Sequence, residues 1–272
     1  MHPLFIVLIA AAALSALCLF IFAPGVGGKD GKKSFYGRNI AHRGLYERDQ
    51  SVPENSLPAF SRAAERGYGV ELDVQLSKDG RVVVFHDDTL LRVCGVDRRV
   101  DELTYGQLCG LSLFGTGERI PLFTEVLSVL SGRVPVVVEL KNGKRNAELC
   151  EKTLAFLKGY EGEYCVESFS PFIVGWFRKH APHIMRGQLA QLPADYGDAV
   201  SKPAALLLGV CFFNFIARPH FIAHRFGKAT LPVKLARRLG AMSFTWTPHD
   251  ESEEKNSDAV IFEYYLPAVK FK

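Results

Sequence analysis

The chain has 272 residues, of which 48% are hydrophobic and 23% charged, so it is long enough for one large domain or two small ones. Its net charge is only +4, and the lysines and arginines are interleaved with acids, which excludes a basic patch of the kind that binds nucleic acid. The six cysteines form no C-x-x-C pair, a pattern that predicts free thiols in a reducing compartment rather than a disulfide framework.

Residues 1–24 predict a single transmembrane anchor. Leu4 to Ala23 contains no charged residue and is long enough to cross a bilayer as one helix. A cleaved signal peptide is the alternative, but the basic residues that usually precede its apolar core are missing. The span is followed by basic residues at Lys29, Lys32, Lys33 and Arg38. The positive-inside rule therefore predicts a single-pass protein of the cell membrane with its folded domain in the cytoplasm.

The segment 25–37, rich in glycine and lysine, predicts a flexible tether, and 38–272 is predicted to be the folded domain. Asn39 to Gly44 has the pattern of a short strand. A helix is predicted after it, with an N-cap within 53–56 and apolar residues at helical spacing. Since another strand follows at once, this order predicts a βαβ unit and a parallel sheet.

That second strand carries two acids, Glu71 and Asp73. In a strand, residues two apart point to the same face, so the two carboxylates are crowded together. Such a pair is typical of a site for a hard metal ion or a shared proton. A turn at 78–80 then returns the chain through 82–85, which predicts an antiparallel flap that brings His86 near the carboxylates.

The remaining pattern predicts a (β/α)₈ barrel. After an irregular stretch at 88–117, strands alternate with helices, and eight strands are counted when the flap is left out. A doubly wound open sheet is the alternative, but no glycine-rich nucleotide motif supports it. In a barrel the active site forms at the carboxyl ends of the strands. Six candidate residues fall at such ends: His42, Arg43, Glu71, Asp73, Glu139 and Lys141.

Each of these residues alone has an ordinary structural explanation, and their convergence on one rim is what indicates a site. The sequence around them resembles the glycerophosphodiester phosphodiesterase family. The matching pieces occur in the family's order: AHRG (41–44), PENSLPAF (53–60), VELDVQLSKDGRVVVFHDDTL (70–90), IPLFTEVL (120–127), VVVELK (136–141), ESFSP (167–171) and FTWT (244–247). The chain departs from the family pattern at the pocket rim, at Pro248-His249 and at Phe262 to Pro267.

The resemblance implies a TIM-like barrel with a small insertion above it, and metal-dependent hydrolysis of glycerophosphodiesters to sn-glycerol 3-phosphate and an alcohol. It implies these roles: metal ligands Glu71, Asp73 and Glu139, catalytic histidines His42 and His86, and phosphate-binding groups Arg43 and Lys141. Carboxylate ligands suit one divalent cation, Mg²⁺ or Ca²⁺. His42 is assigned as the acid and His86 as the base, although the two are interchangeable. The attacking group is either water or the glycerol 2-hydroxyl, through a cyclic phosphate.

Two further features leave alternatives open. Trp246 is either a wall for the glycerol group or a core side chain. The apolar run 204–217 is either a buried barrel helix or an interfacial element at the membrane. The corresponding alternative functions are a lysophospholipase D, a polyglycerophosphate hydrolase, or an inactive membrane-anchored binding barrel. The expected partners are a small glycerophosphodiester or lysophospholipid and the membrane, and no oligomeric state is predicted.

Overall fold

Eight parallel strands close into a barrel in the computed structural model of this chain, which describes residues 3–26, 29–227 and 229–272. Around the barrel they pair in the order β1, β2, β4, β5, β6, β7, β8 and β9, and β9 pairs with β1. The nine strands are β1 (Arg38–Ala41), β2 (Gly69–Leu76), β3 (Val82–Val84), β4 (Val136–Leu140), β5 (Tyr164–Ser168), β6 (Arg186–Ala190), β7 (Phe221–Arg225), β8 (Met242–Trp246) and β9 (Ala259–Phe262). The predicted (β/α)₈ barrel is confirmed, and the open sheet is excluded.

The helices lie mainly outside the barrel. They are α1 (Pro3–Phe22), α2 (Lys29–Phe35), α3 (Leu57–Glu65), α4 (Leu91–Cys94), α5 (Tyr105–Leu108), α6 (Phe123–Leu130), α7 (Asn146–Leu157), α8 (Pro171–His180), α9 (Lys202–Gly209), α10 (Asn214–Ala217) and α11 (Leu231–Arg238). Short 3₁₀ helices occur at Val100–Glu102, Pro193–Ala199 and Glu251–Asn256. Helix α3 begins as predicted, because the Ser56 side chain accepts a hydrogen bond from the Ala59 amide.

The alternation of residues along β2 explains how the barrel is filled. Val70, Leu72 and Val74 point outward into the core between the barrel and its helices. Glu71 and Asp73 have the opposite parity and are buried on the inner face. The lower interior is apolar, where Phe221 stacks on Phe244 at 4.1 Å between ring centroids and Phe35 packs on Phe244 at 5.9 Å. The polar upper interior is therefore supported by an apolar floor.

Strand β3 pairs with β2 in antiparallel orientation, after a turn in which Gly80 has a left-handed φ of +75°. The segment that follows β3 buries its own small core, which includes Leu90, Val100 and Leu108. This compact segment holds Asp87 and Arg92 near the carboxyl end of β2. The insertion thus contributes polar side chains to the same end of the barrel as the candidate residues.

The N-terminal segment differs in part from the sequence expectation. Helix α1 is strongly apolar, 20 residues long and almost entirely exposed. It is therefore one candidate for a membrane span by length and composition. The predicted tether at 25–37 instead contains helix α2, and Phe35 at its end is fully buried. Phe35 fills the apolar floor of the barrel, which is why this part of the segment is ordered; residues 27–28 lie outside the described ones.

The apolar run 204–217 forms two helices rather than one. Helix α9 ends at Gly209 and α10 begins at Asn214, with Cys211 in the left-handed region at a φ of +53° between them. Ala205 and Ala217 are buried, whereas Leu206 remains 54% exposed. The expectation of a fully buried barrel helix therefore holds for one face of this segment only.

Candidate active site

Four acids from three neighbouring strands lie at the carboxyl end of the barrel. Asp73 on β2 is in register with Glu139 on β4, which is in register with Glu167 on β5. Glu71 lies one inward-facing position below Asp73, and all four residues are buried. Ligand oxygens of Glu71, Asp73 and Glu139 lie within 4.8 Å of one another. The structure therefore brings together the three acids that the sequence analysis grouped, and it adds Glu167.

Two cationic side chains lie among these acids. Lys141 Nζ is 2.8 Å from Glu139 Oε1 and 3.2 Å from Asp73 Oδ1. Arg43 follows β1 with a left-handed φ of +54°, and its amide donates to Glu71 Oε2 at 2.9 Å. That uncommon backbone conformation is held by the surrounding contacts, as is typical of functional sites. Its guanidinium donates to Glu54 Oε1 at 2.8 Å, which fixes its direction.

Each candidate histidine has a carboxylate at Nδ1. His42 Nδ1 lies 3.0 Å from Glu263 Oε1, and His86 Nδ1 lies 2.6 Å from Asp87 Oδ1. In both pairs the carboxylate fixes the ring orientation and leaves Nε2 available for proton transfer. Burial lowers the pKa of His42, with a further contribution from the charge of Arg43, and the Glu263 carboxylate opposes the change. Burial and then the charge of Lys141 lower the pKa of His86 as well, and the carboxylates of Asp73 and Asp87 oppose the change.

These side chains surround a cavity of about 300 Å³. Six of the predicted site residues line it: His42, Arg43, Glu71, His86, Glu139 and Trp246. Three buried polar atoms at the cavity have no hydrogen-bond partner among the described residues: Arg43 Nε, Glu167 Oε2 and Trp246 Nε1. Buried polar groups are rarely left unpaired. The three atoms therefore indicate a polar ligand in this cavity.

The pKa values of the acids show that they are too crowded to ionise together. Burial raises the pKa of Glu71 well above its ordinary value, and the charges of Asp73 and Glu139 raise it further. Burial raises the pKa of Glu139 to about 7, although Lys141 opposes the rise. Burial also acts to raise the pKa of Asp73, but the charges of Lys141, His86 and Arg43 outweigh it and hold the value well below the usual range.

This arrangement fits a divalent cation. Carboxylate oxygens are the ligands that Mg²⁺ and Ca²⁺ prefer, and a cation among them would relieve the repulsion that raises the pKa values of Glu71 and Glu139. Lys141 already supplies one positive charge at this position. The residues that would hold the ion are Glu71, Asp73 and Glu139.

Several residues of the site were not predicted as such. Glu54 forms ion pairs with Arg43 and Arg92, and Asn55 donates to Asp73 Oδ2 at 2.9 Å. Glu167 was quoted only within a motif, although it ends a strand with the parity of Glu139 and that position was the available signal. Glu263 was noted only as a departure, and it contacts His42 through the closure of β9 on β1.

Comparison with known proteins identifies the family. A sequence model of the glycerophosphoryl diester phosphodiesterase family matches residues 42–264. The chain belongs to this family. A glycerophosphodiester phosphodiesterase of Caldanaerobacter subterraneus subsp. tengcongensis is 37% identical over 163 residues, and one of Bacillus altitudinis is 36% identical over 168 residues. These alignments cover 56% and 57% of this chain, and 66% of the length of each relative, so slightly less than two thirds of either is matched.

A solved family structure agrees with the barrel over nearly its whole length. The Oleispira antarctica phosphodiesterase in complex with the product sn-glycerol-3-phosphate superposes with a TM-score of 0.69 at 25% identity, covering 86% of this chain and 95% of that one. The glycerophosphoryl diester phosphodiesterase family match begins at His42 and extends past Glu263. It therefore includes every candidate residue of the cavity described above.

Proposed function

We propose that this chain is a metal-dependent glycerophosphodiester phosphodiesterase that releases sn-glycerol 3-phosphate and an alcohol. One observation supports this most strongly: three acids have ligand oxygens within 4.8 Å of one another, and two of them, Glu71 and Glu139, line the same cavity as both histidines. A metal site alone would not need the histidines, and an acid–base pair alone would not need the acids. Both are needed for cleavage of a phosphodiester, where charge builds up at phosphorus and the leaving alkoxide takes a proton.

The charge of the phosphodiester is proposed to be neutralised by a divalent cation and by two basic side chains. Glu71, Asp73 and Glu139 would hold a divalent cation, which would supply positive charge for the phosphate oxygens. Arg43, whose Nε lies 3.6 Å from Asp73 Oδ2 and has no hydrogen-bond partner among the described residues, donates to the same phosphate, and Lys141 adds a second charge. These cations neutralise a phosphodiester that would otherwise be repelled by the acids.

Proton transfer is assigned to the two rings. His86, neutral and oriented by Asp87, accepts the proton of the attacking hydroxyl at Nε2. His42, whose protonated form is favoured by Glu263, gives a proton to the leaving oxygen. Trp246 is proposed to bind the glycerol group, because its indole lines the cavity and its Nε1 has no partner among the described residues.

The first test is hydrolysis of glycerophosphocholine by the full chain in detergent. Wild-type protein with Mg²⁺ is expected to release glycerol 3-phosphate, and Glu71→Ala is expected to lose more than about 10²-fold in kcat/KM. Glu161→Ala, an exposed acid away from the barrel rim, is the matched control and is expected to retain full activity. Activity that survives both EDTA and Glu71→Ala would refute the metal-dependent mechanism.

We also propose that α1 anchors the enzyme in the cell membrane, with the barrel in the cytoplasm. The last turn of α1 is bound to the barrel, because Arg218 Nη1 donates to the Ala23 carbonyl at 2.9 Å and Phe22 packs against buried residues outside β7. These contacts favour a retained anchor, because a signal sequence that is cleaved off would not need to contact the folded barrel. Protease protection in membrane vesicles of known sidedness tests the orientation. Digestion of the barrel by a protease added to the non-cytoplasmic side of the membrane would overturn it.

A further inference from the structure

The barrel has a concentrated region of exposed apolar side chains. Among residues 29–227 and 229–272, eleven large hydrophobic side chains are exposed, and six of them lie between Pro171 and Leu231. We call these six the apolar surface: Phe172, Leu192, Leu206, Phe212, Phe226 and Leu231. Exposed apolar side chains gathered in one region mark an interaction site, whereas scattered ones do not.

The apolar surface is continuous with the end of α1. Phe20 stacks on Phe215 with ring centroids 5.4 Å apart. The aromatic contacts then continue from Phe215 to Phe212 at 5.8 Å, from Phe212 to Phe213 at 5.5 Å, and from Phe213 to Phe172 at 6.4 Å. Helix α1 also contacts α11, and Leu231, the first residue of α11, is 80% exposed.

The geometry of α1 fixes the depth of this region in a bilayer. A helix of 20 residues is about 30 Å long, which equals the thickness of the hydrocarbon core. Phe20, in its last turn, therefore lies at the boundary with the headgroups, and so does the Phe215 ring that stacks on it. The connection is short and fixed, because the Gly25 amide donates to the Pro219 carbonyl at 3.1 Å. The barrel is thus held against the bilayer rather than at a distance.

The charges around the apolar surface suit a phospholipid interface. Between Pro171 and Arg218, four basic side chains are exposed or half-buried, Arg178, Lys179, Lys202 and Arg218, and among the described side chains one acid, Asp195, is exposed. Arg218 lies 5.5 Å from the centre of the Phe20 ring, at the headgroup boundary. Basic side chains beside exposed aromatic and aliphatic ones are characteristic of surfaces that bind anionic bilayers.

The active-site cavity opens beside this surface. Phe169, which lines the cavity, precedes Phe172 by three residues. Gln191 lines both this cavity and a second one of about 240 Å³, whose walls include Leu192 and Phe226. Two members of the apolar surface therefore form the wall of a cavity adjacent to the catalytic one.

We propose that the apolar surface docks on the bilayer that holds α1 and places the mouth of the active site at the level of the lipid headgroups. This inference rests on the proposed anchor. It identifies the substrate class as glycerophosphodiesters presented at a membrane, with the lipid bilayer as the docking partner. The alternative occupant, a second copy of the chain, is an outcome of the test.

The test is photolabelling of the full chain in nanodiscs of phosphatidylcholine and phosphatidylglycerol that contain a phospholipid with a diazirine in its acyl chain. Adducts are expected on α1 and on peptides that carry Phe172, Leu206 and Phe212, at least about fivefold above the peptide that carries Phe156. Phe156 is the matched control, since it is 38% exposed and Phe212 is 37% exposed.

Each pattern decides the question. Adducts on α1 alone overturn the docking surface and leave the anchor intact. The same conclusion follows if a second copy of the chain covers the surface and is detected as a cross-linked dimer. Adducts on the surface without α1 support docking and refute the anchor, and adducts on neither refute both. A Leu206→Ser/Phe212→Ser variant is expected to lose most surface adducts while its turnover of soluble glycerophosphocholine stays unchanged, which shows that it is folded. A Phe156→Ser variant is expected to keep them.

Discussion

Without a divalent cation, the protein is expected to lose stability as the pH rises, because a buried acid of the site then has to give up its proton. Burial raises the pKa of Glu139 from 4.5 to about 7. This difference corresponds to roughly 3 kcal/mol in favour of the protonated form. Because the folded chain binds this proton more tightly than the unfolded chain, the contribution is fully present below pH 4.5 and is lost as the pH rises through about 7.

Thermal unfolding of the full chain in detergent tests this reasoning. With EDTA, the melting temperature is expected to fall by about 6–12 °C between pH 4.5 and pH 8, since 1 kcal/mol corresponds to about 2–4 °C at this chain length. With Mg²⁺ at a fixed concentration equal to one hundred times its Kd at pH 8, ligand binding adds about 2.7 kcal/mol at that pH, and the gain is expected to shrink as the pH falls because the proton competes with the ion. Glu139→Gln should flatten the EDTA profile, whereas the exposed control Glu161→Gln should not. A gain from Mg²⁺ that is equal at pH 5 and pH 8 would refute the argument.

Three further predictions concern single side chains. Asp87→Asn is expected to lower kcat about 10- to 100-fold with little change in KM, because it removes the carboxylate that orients His86; steady-state kinetics that show a changed KM alone would contradict this. His42→Gln is expected to lose about 10²- to 10⁴-fold with a choline leaving group and far less with p-nitrophenol, which needs no acid; equal losses would exclude His42 as the acid. Glu167→Gln is expected to change the stability of the metal-free protein at pH 7 by less than about 1 kcal/mol, because burial raises the pKa of Glu167 and glutamine resembles its protonated form. A loss of about 3 kcal/mol in thermal unfolding would show that Glu167 is ionised.

The barrel and the central acids could be predicted because each depends on local alternation. Val70, Leu72 and Val74 alternate with Glu71 and Asp73, and period-two alternation places the two acids on one face in any strand. The rule that active sites form at the carboxyl ends of parallel strands then assigns the acids of β2 and β4 to one site, even though the sequence does not give the distance between the strands. Both steps use information contained in short stretches of sequence.

The parts that could not be predicted depend on contacts between distant segments. Glu263 reaches His42 only because β9 closes on β1, and no local pattern indicates that an acid 221 residues away orients this ring. The tether at 25–37 has the composition of a flexible segment, yet Phe35 fills the barrel floor and orders α2. The break between α9 and α10 likewise follows a left-handed Cys211, a conformation that cysteine rarely adopts.

The fourth acid changes the charge balance of the site. Three ionised acids, one divalent cation, Arg43, Lys141 and a singly charged phosphodiester sum to zero, and near-neutrality is what a buried site requires. Glu167 would add a negative charge at the same level of the barrel, in register with Glu139. Burial, together with the charge of Glu139, raises the pKa of Glu167 well above its usual range, which favours the neutral carboxyl in the cation-free site. A protonated carboxyl is also a hydrogen-bond donor, and Glu167 Oε2 has no partner within the described part of the chain. We therefore expect the proposed metal site to hold Glu167 as a neutral group, because a fourth ionised acid would leave the site with a net negative charge.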